Sequence, residues 1–203
     1  MREDAKDPDK HAARMKKKQE VVAERKKQAT EDRGVMVVLT GPGKGKSSSG
    51  FGMLARALGH GMKVGVVQFI KGKFQTGEER FFRNLDNVDY HVMGEGFTWD
   101  TQDRERDVAA AEAAWEKARA MLRDPAYDLV LLDEFNIVLR YEYLDLDQVL
   151  EDMTNRPEHQ HVVVTGRYAK QPLLDAADTV TEMKVTKHAF KDAGVKAQKG
   201  VEL

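Results

Sequence analysis

Residues 35–59 read VMVVLTGPGKGKSSSGFGMLARALG. Val35–Leu39 is a near-continuous apolar run, the pattern of a strand buried on both faces. Thr40 ends it, Gly41-Pro42-Gly43-Lys44-Gly45-Lys46 follows, and a helix opens at Ser47 with Phe51, Leu54 and Leu58 at helical spacing. Glycines in such a loop let backbone N–H groups approach phosphate oxygens. The unpaired N–H groups of the helix start add positive dipole. Lys46 can reach the terminal phosphates, and the Ser47 hydroxyl can ligate Mg²⁺. The loop departs from G-x-x-x-x-G-K-[ST] in one respect, because Thr40 stands at the first glycine position. It also carries a second lysine, Lys44. A glycine-rich turn with surface lysines would not explain the buried strand before it or the small-residue helix after it. The stretch reads as a nucleoside triphosphate site built from Thr40, Gly41, Gly43, Lys44, Gly45, Lys46, Ser47 and Ser48.

Outward from this loop, short apolar runs alternate with helical segments. VGVVQFI (64–70), VDYHVM (88–93), DLVLLD (128–133) and HVVVT (161–165) read as strands, and TVTEM (179–183) as a weaker one. Val108, Ala111, Trp115, Ala118 and Leu122 mark one face of a helix running to Arg123, which Asp124-Pro125 ends. A further helix is expected over 144–155, stopped before Pro157. The alternation implies βαβ units, hence an α/β fold with a mostly parallel sheet flanked by helices. Residues 1–33 differ in composition from the rest. They hold 11 Lys/Arg and 8 Asp/Glu, a net +3, while 34–203 hold 22 and 26, a net −4. Two regions are therefore expected: a charged N-terminal arm over 1–33 and a single domain over 34–203. Within the arm, 1–10 reads as disordered and 11–29 as a helix with a thin stripe of Met15, Val21 and Val22. The arm either docks or remains a solvated tail. Lys16–Lys18 raise nucleic-acid binding, but Glu20 and Glu24 dilute that patch.

Other residues extend the site. DLVLLDE ends an apolar strand in Asp133-Glu134, where a carboxylate can hold a metal beside the phosphate loop. Which of the two does so stays open. Gly166-Arg167 follows the next strand, so Arg167 lies at the same sheet edge as a phosphate contact or a turn arginine. Phe97 and Trp99, in a glycine-flanked stretch, form either a flat apolar surface for a planar ligand or a helix cap. The histidines show no metal-ligand spacing. The chain has no cysteine, which excludes disulfides, a thiol nucleophile and thiolate-held zinc or iron–sulfur clusters. It has no apolar run of about 18 residues or more and no apolar leader with a cleavage site, so a cytoplasmic, membrane-free protein is expected.

TGPGKGKSS, RALGHGMKVGVVQFIKG, GFTWDTQDRE, LVLLDE, VTGR and VTKHAFKDAGVKAQKG occur in that order. With them the chain resembles the corrinoid adenosyltransferases of the CobA/CobO/BtuR type over roughly residues 33–201. The resemblance implies a RecA-like phosphate-loop fold, usually in a homodimer, with an N-terminal helix that helps cover the active site. It implies transfer of the 5′-deoxyadenosyl group of ATP to the Co(I) of a reduced corrinoid, with triphosphate leaving whole. The corrinoid is cob(I)yrinic acid a,c-diamide, cob(I)alamin or cobinamide, and an electron donor of the flavodoxin or flavin reductase type supplies Co(I). It further implies that Lys44 and Lys46 act on the leaving triphosphate with Mg²⁺ held by Ser47 and Glu134 or Asp133. Arg167 would contact the nucleotide, and Phe97 and Trp99 would pack on the lower corrin face. Two local differences stand out. Pro42 stands where related loops often have Asn, and Ser47-Ser48 replaces a common Thr-Thr. Two competing readings are a phosphate-loop kinase or ATP hydrolase with Glu134 as base, and a RecA-like nucleic-acid-binding protein using the arm.

Overall fold

The computed structural model describes residues 8–70, 75–93 and 104–201. These fall into two compact units, one within 1–32 and one over 33–203. The first consists of α1 (Pro8–Gln28). The helix starts three residues earlier than expected, because a proline is tolerated in a first turn, where its missing N–H would have no partner.

The second unit alternates strands and helices. Its strands are β1 (Met36–Thr40), β2 (Val64–Gln68), β3 (Val88–Val92), β4 (Leu129–Asp133), β5 (His161–Thr165) and β6 (Thr179–Glu182). Between them lie α2 (Lys46–Gly59), α3 (Gly77–Phe82), α4 (Arg104–Arg123), α5 (Phe135–Arg140), α6 (Leu146–Thr154) and α7 (Gln171–Ala176), and α8 (Ala189–Ala193) follows β6. The strands pair in the order β3-β2-β4-β5-β1-β6, and every pairing is parallel. This is the RecA-like phosphate-loop architecture that the family resemblance implies, with β5 inserted between the loop strand β1 and the acid-bearing strand β4.

The central strands are apolar along their interiors because both faces of the sheet are covered. Met36 and Val38 of β1 join one buried cluster with Trp115 of α4, Phe135 of α5 and Met153 of α6. Val37 and Leu39 point the other way and join Phe51 and Leu54 of α2 and Phe82 of α3. Successive side chains on a strand point to opposite faces, so one run feeds two cores. Trp115 lies on the buried side of α4, as its spacing implied, stacked on Phe135 at 5.2 Å.

An all-parallel sheet gathers the carboxyl ends of its strands at one edge. Gln68 sits opposite Asp133 in the β2–β4 register. Leu39, one residue before the end of β1, sits opposite Thr165. Polar strand ends therefore converge beside the phosphate loop.

Candidate active site

The loop between β1 and α2 is shaped by two glycines with positive φ, Gly41 at +99° and Gly45 at +106°. Its back rests on the residues that follow β6. The Gly43 N–H donates to the Met183 carbonyl at 2.6 Å, and a Cβ at Gly43 would lie 2.6 Å from that same oxygen. Close backbone approach thus requires glycine at 43. Lys46 is the first residue of α2 and is buried, with its Nζ donating to the Gly43 carbonyl at 2.6 Å. Burial holds its ammonium below the ordinary lysine range, and the Glu134 charge opposes that shift.

Asp133 ends β4 and is 1% exposed. Its Oδ1 accepts from the Thr165 hydroxyl at 2.7 Å and its Oδ2 from Gln68 Nε2 at 3.0 Å. The Ser47 side chain lies close enough to this carboxylate to favour its charged form. Burial pushes the Asp133 pKa up, and these three side chains pull against it. Glu134 follows in a left-handed conformation, φ 55°, rare for a residue with a side chain. Its N–H donates to Thr165 Oγ1 at 2.9 Å. Burial first, then the neighbouring Asp133 charge, raise the Glu134 pKa, while Lys46 and Arg167 lower it. Gly166 and Asn136 complete the junction, Asn136 Nδ2 donating to the Gly166 carbonyl at 2.8 Å.

These groups border one cavity of about 650 Å³, within the range of small-molecule sites. Gly43, Lys44, Gly45, Lys46, Ser47, Ser48, Asp133, Glu134 and Arg167 line it. Thr40 and Gly41 are not in its wall. The Thr40 hydroxyl is instead committed to the Ala169 N–H at 3.3 Å. Phe97 and Trp99 lie outside the described residues. Among the wall residues that escaped the sequence reading are Gln68, Thr76 and Phe81. Thr165, behind the wall, escaped it too. For Gln68 and Thr165 a signal existed, since each is the last, polar residue of an otherwise apolar strand. A second cavity of about 470 Å³ adjoins the first and shares Glu134 and Arg167 with it. Arg140 and Tyr168 also line it, the guanidinium standing 3.8 Å from the ring centroid.

Among the described residues no cluster of three or more His, Asp or Glu side chains could cage a metal. The donors at hand are two carboxylates and a serine hydroxyl, all hard oxygens. That set suits a Mg²⁺ ion completed by substrate phosphates and water.

Residues 32–203 match the family model described as ATP:corrinoid adenosyltransferase BtuR/CobO/CobP. The chain belongs to this family. A corrinoid adenosyltransferase of Pseudomonas aeruginosa is 62% identical over the full length of both chains. The corrinoid adenosyltransferase CobA of Salmonella typhimurium is 48% identical, covering 96% of this chain and 98% of its own. Among solved structures, the flagellar accessory protein FlaH of Methanocaldococcus jannaschii aligns with 74% of this chain and 71% of its own, at a TM-score of 0.48 and 9% identity. That likeness is too distant to bear on function. The activity of this family is corrinoid adenosyl transfer: ATP and a corrinoid are the substrates, and the transfer between them belongs to cobalamin biosynthesis.

Proposed function

We propose that the cavity at the strand ends binds the triphosphate of ATP and holds C5′ for attack by the corrinoid's Co(I). The observation that carries this reading is the convergence of Lys46, Ser47, Asp133, Glu134 and Arg167 on one cavity behind a glycine-shaped loop. The cobalt electron pair forms the Co–C5′ bond. The C5′–O bond breaks, and its pair leaves with intact triphosphate. The nucleophile belongs to the substrate, so the protein needs neither a side-chain nucleophile nor a general base. Its contribution is positioning and charge stabilisation.

Lys46, Lys44 and the loop N–H groups offset the charge that builds on the departing triphosphate. Arg167 adds a third cation from the end of the neighbouring strand β5. Ser47, Asp133 and Glu134 would hold Mg²⁺, which supplies further positive charge to the triphosphate when bound. Asp133 already accepts from Thr165 and Gln68, so Glu134 is the more available carboxylate. Following the family resemblance, Phe97 and Trp99 pack on the lower corrin face and displace the axial ligand, which favours four-coordinate cobalt and its reduction. On the same basis the enzyme acts as a homodimer in the cytoplasm, with a flavodoxin or flavin reductase type donor supplying electrons.

The test is anaerobic incubation of the protein with ATP, Mg²⁺ and chemically reduced corrinoid. The expected result is the absorbance change of Co–C bond formation with one triphosphate released per adenosylated corrinoid. ADP and a phosphorylated product would overturn the reading in favour of a kinase.

A further inference from the structure

The wall of the phosphate cavity has a second character that the triphosphate does not use. Where α3 borders it, Phe82 turns inward at 7% exposure and Phe81 turns outward at 65%. Adjacent helical residues point about 100° apart, so one aromatic joins the core and the next faces the cavity. The exposed ring is braced. Phe81 meets Phe82 edge-on at 5.1 Å and 87°. Phe82 stacks on Phe51 at 5.5 Å, and Phe51 faces Tyr90 at 6.3 Å. Phe81 thus stands on an aromatic column rooted in the buried cluster beneath α2 and β3.

A single exposed aromatic needs no explanation by itself. This one lines the same cavity as Lys46, Ser47 and Asp133, and so does the exposed Val201. The cavity therefore offers a cationic, hydrogen-bonding part and a flat apolar part. A ligand that matches both has a polyanionic end and a planar, weakly hydrated end. ATP has that form, and its base is the part the phosphate loop leaves unaccounted for. We propose that Phe81 is the platform on which the purine base of ATP stacks. The inference rests on the ATP reading of this cavity and adds the base subsite to it. Face-to-face stacking on an aromatic ring reads no donor or acceptor on the base edge, so this contact supplies affinity more than base identity.

The experiment compares wild type, Phe81→Ala and Phe81→Tyr with two probes, ATP and inorganic tripolyphosphate, which has the anionic end alone. Loss of a base–aromatic stack is expected to raise the KM for ATP about tenfold in Phe81→Ala. Inhibition by tripolyphosphate should stay within about twofold of wild type, and Phe81→Tyr should return the KM to about the wild-type value. Since Phe81 is exposed, the thermal unfolding midpoint should be unchanged. An unchanged KM for ATP in Phe81→Ala overturns the proposal, as does an equal weakening of ATP and tripolyphosphate. A change of oligomeric state without a change in KM also overturns it and assigns Phe81 to a protein interface. Failure of wild type to bind either probe would instead remove the nucleotide reading of the cavity, and this inference with it.

Discussion

Thr165 is fully buried where two strand ends meet. Its hydroxyl donates to Asp133 and accepts from the Glu134 N–H, so one side chain fixes both acids. Thr165→Val keeps the shape and removes both bonds. Leaving those buried groups unpaired is expected to cost about 1–3 kcal/mol in denaturant unfolding. The kcat for adenosylation should fall with it, and Thr165→Ser should recover both quantities. Failure of the serine variant to recover kcat would reduce Thr165 to a packing residue. Lys46→Ala tests the cationic wall. Removing one preorganised charge donor is expected to lower kcat/KM about 100- to 1,000-fold, with tripolyphosphate affinity falling in parallel. The loop that holds Lys46 was legible because glycine, lysine and serine at fixed spacing carry a mechanism. Thr165 carried only the signal of a polar residue closing an apolar run, which has the same appearance whether it faces solvent or an acid.

Strand β6 is the exposed edge of the sheet, and its attachment to β1 depends on a carboxylate before it. Asp178 accepts from Arg33 at 2.6 Å and from the Met36 N–H at 2.7 Å. The Arg33 bond first, then the Met36 bond, hold its pKa below the ordinary value of 3.8. A depressed carboxylate stabilises the fold at neutral pH, and that contribution is lost as pH falls through its folded-state pKa. Asp178→Asn is therefore expected to be less stable than wild type by about 1–2 kcal/mol at pH 7. The gap should close at acid pH, measured by urea unfolding across that range. A gap independent of pH would assign the effect to shape rather than charge. Strands β1 to β6 and helices α2, α4 and α6 were foreseen within a few residues of their ends. The short helices α3, α5, α7 and α8 were not. In α5 five of six residues are buried, so no polar face existed to set a period. In α3 the stretch is too short to show one.

For the molecule as a whole, both apolar clusters and the hydrophobics packed on them come from residue 35 onward. In helix α1 Met15, Val21 and Val22 are each more than 40% exposed. Deleting residues 1–32 is therefore expected to leave the unfolding midpoint of the remaining domain within about 4 °C of wild type. Corrinoid adenosylation should fall if the arm covers the site, as in the family it resembles. Undiminished turnover would make it a solvated tail. The sequence by itself determined the alternation of strand and helix, the phosphate loop and the family, because periodicity and a short loop motif are local properties of the chain. Only the tertiary structure decided which polar residues share the cavity. Gln68, Asp133 and Arg167 lie far apart along the chain, and the parallel register of β2, β4 and β5 brings the ends of these strands to one edge. It also turned Phe81 toward the cavity while Phe82 packed on Phe51, a choice that no residue spacing records.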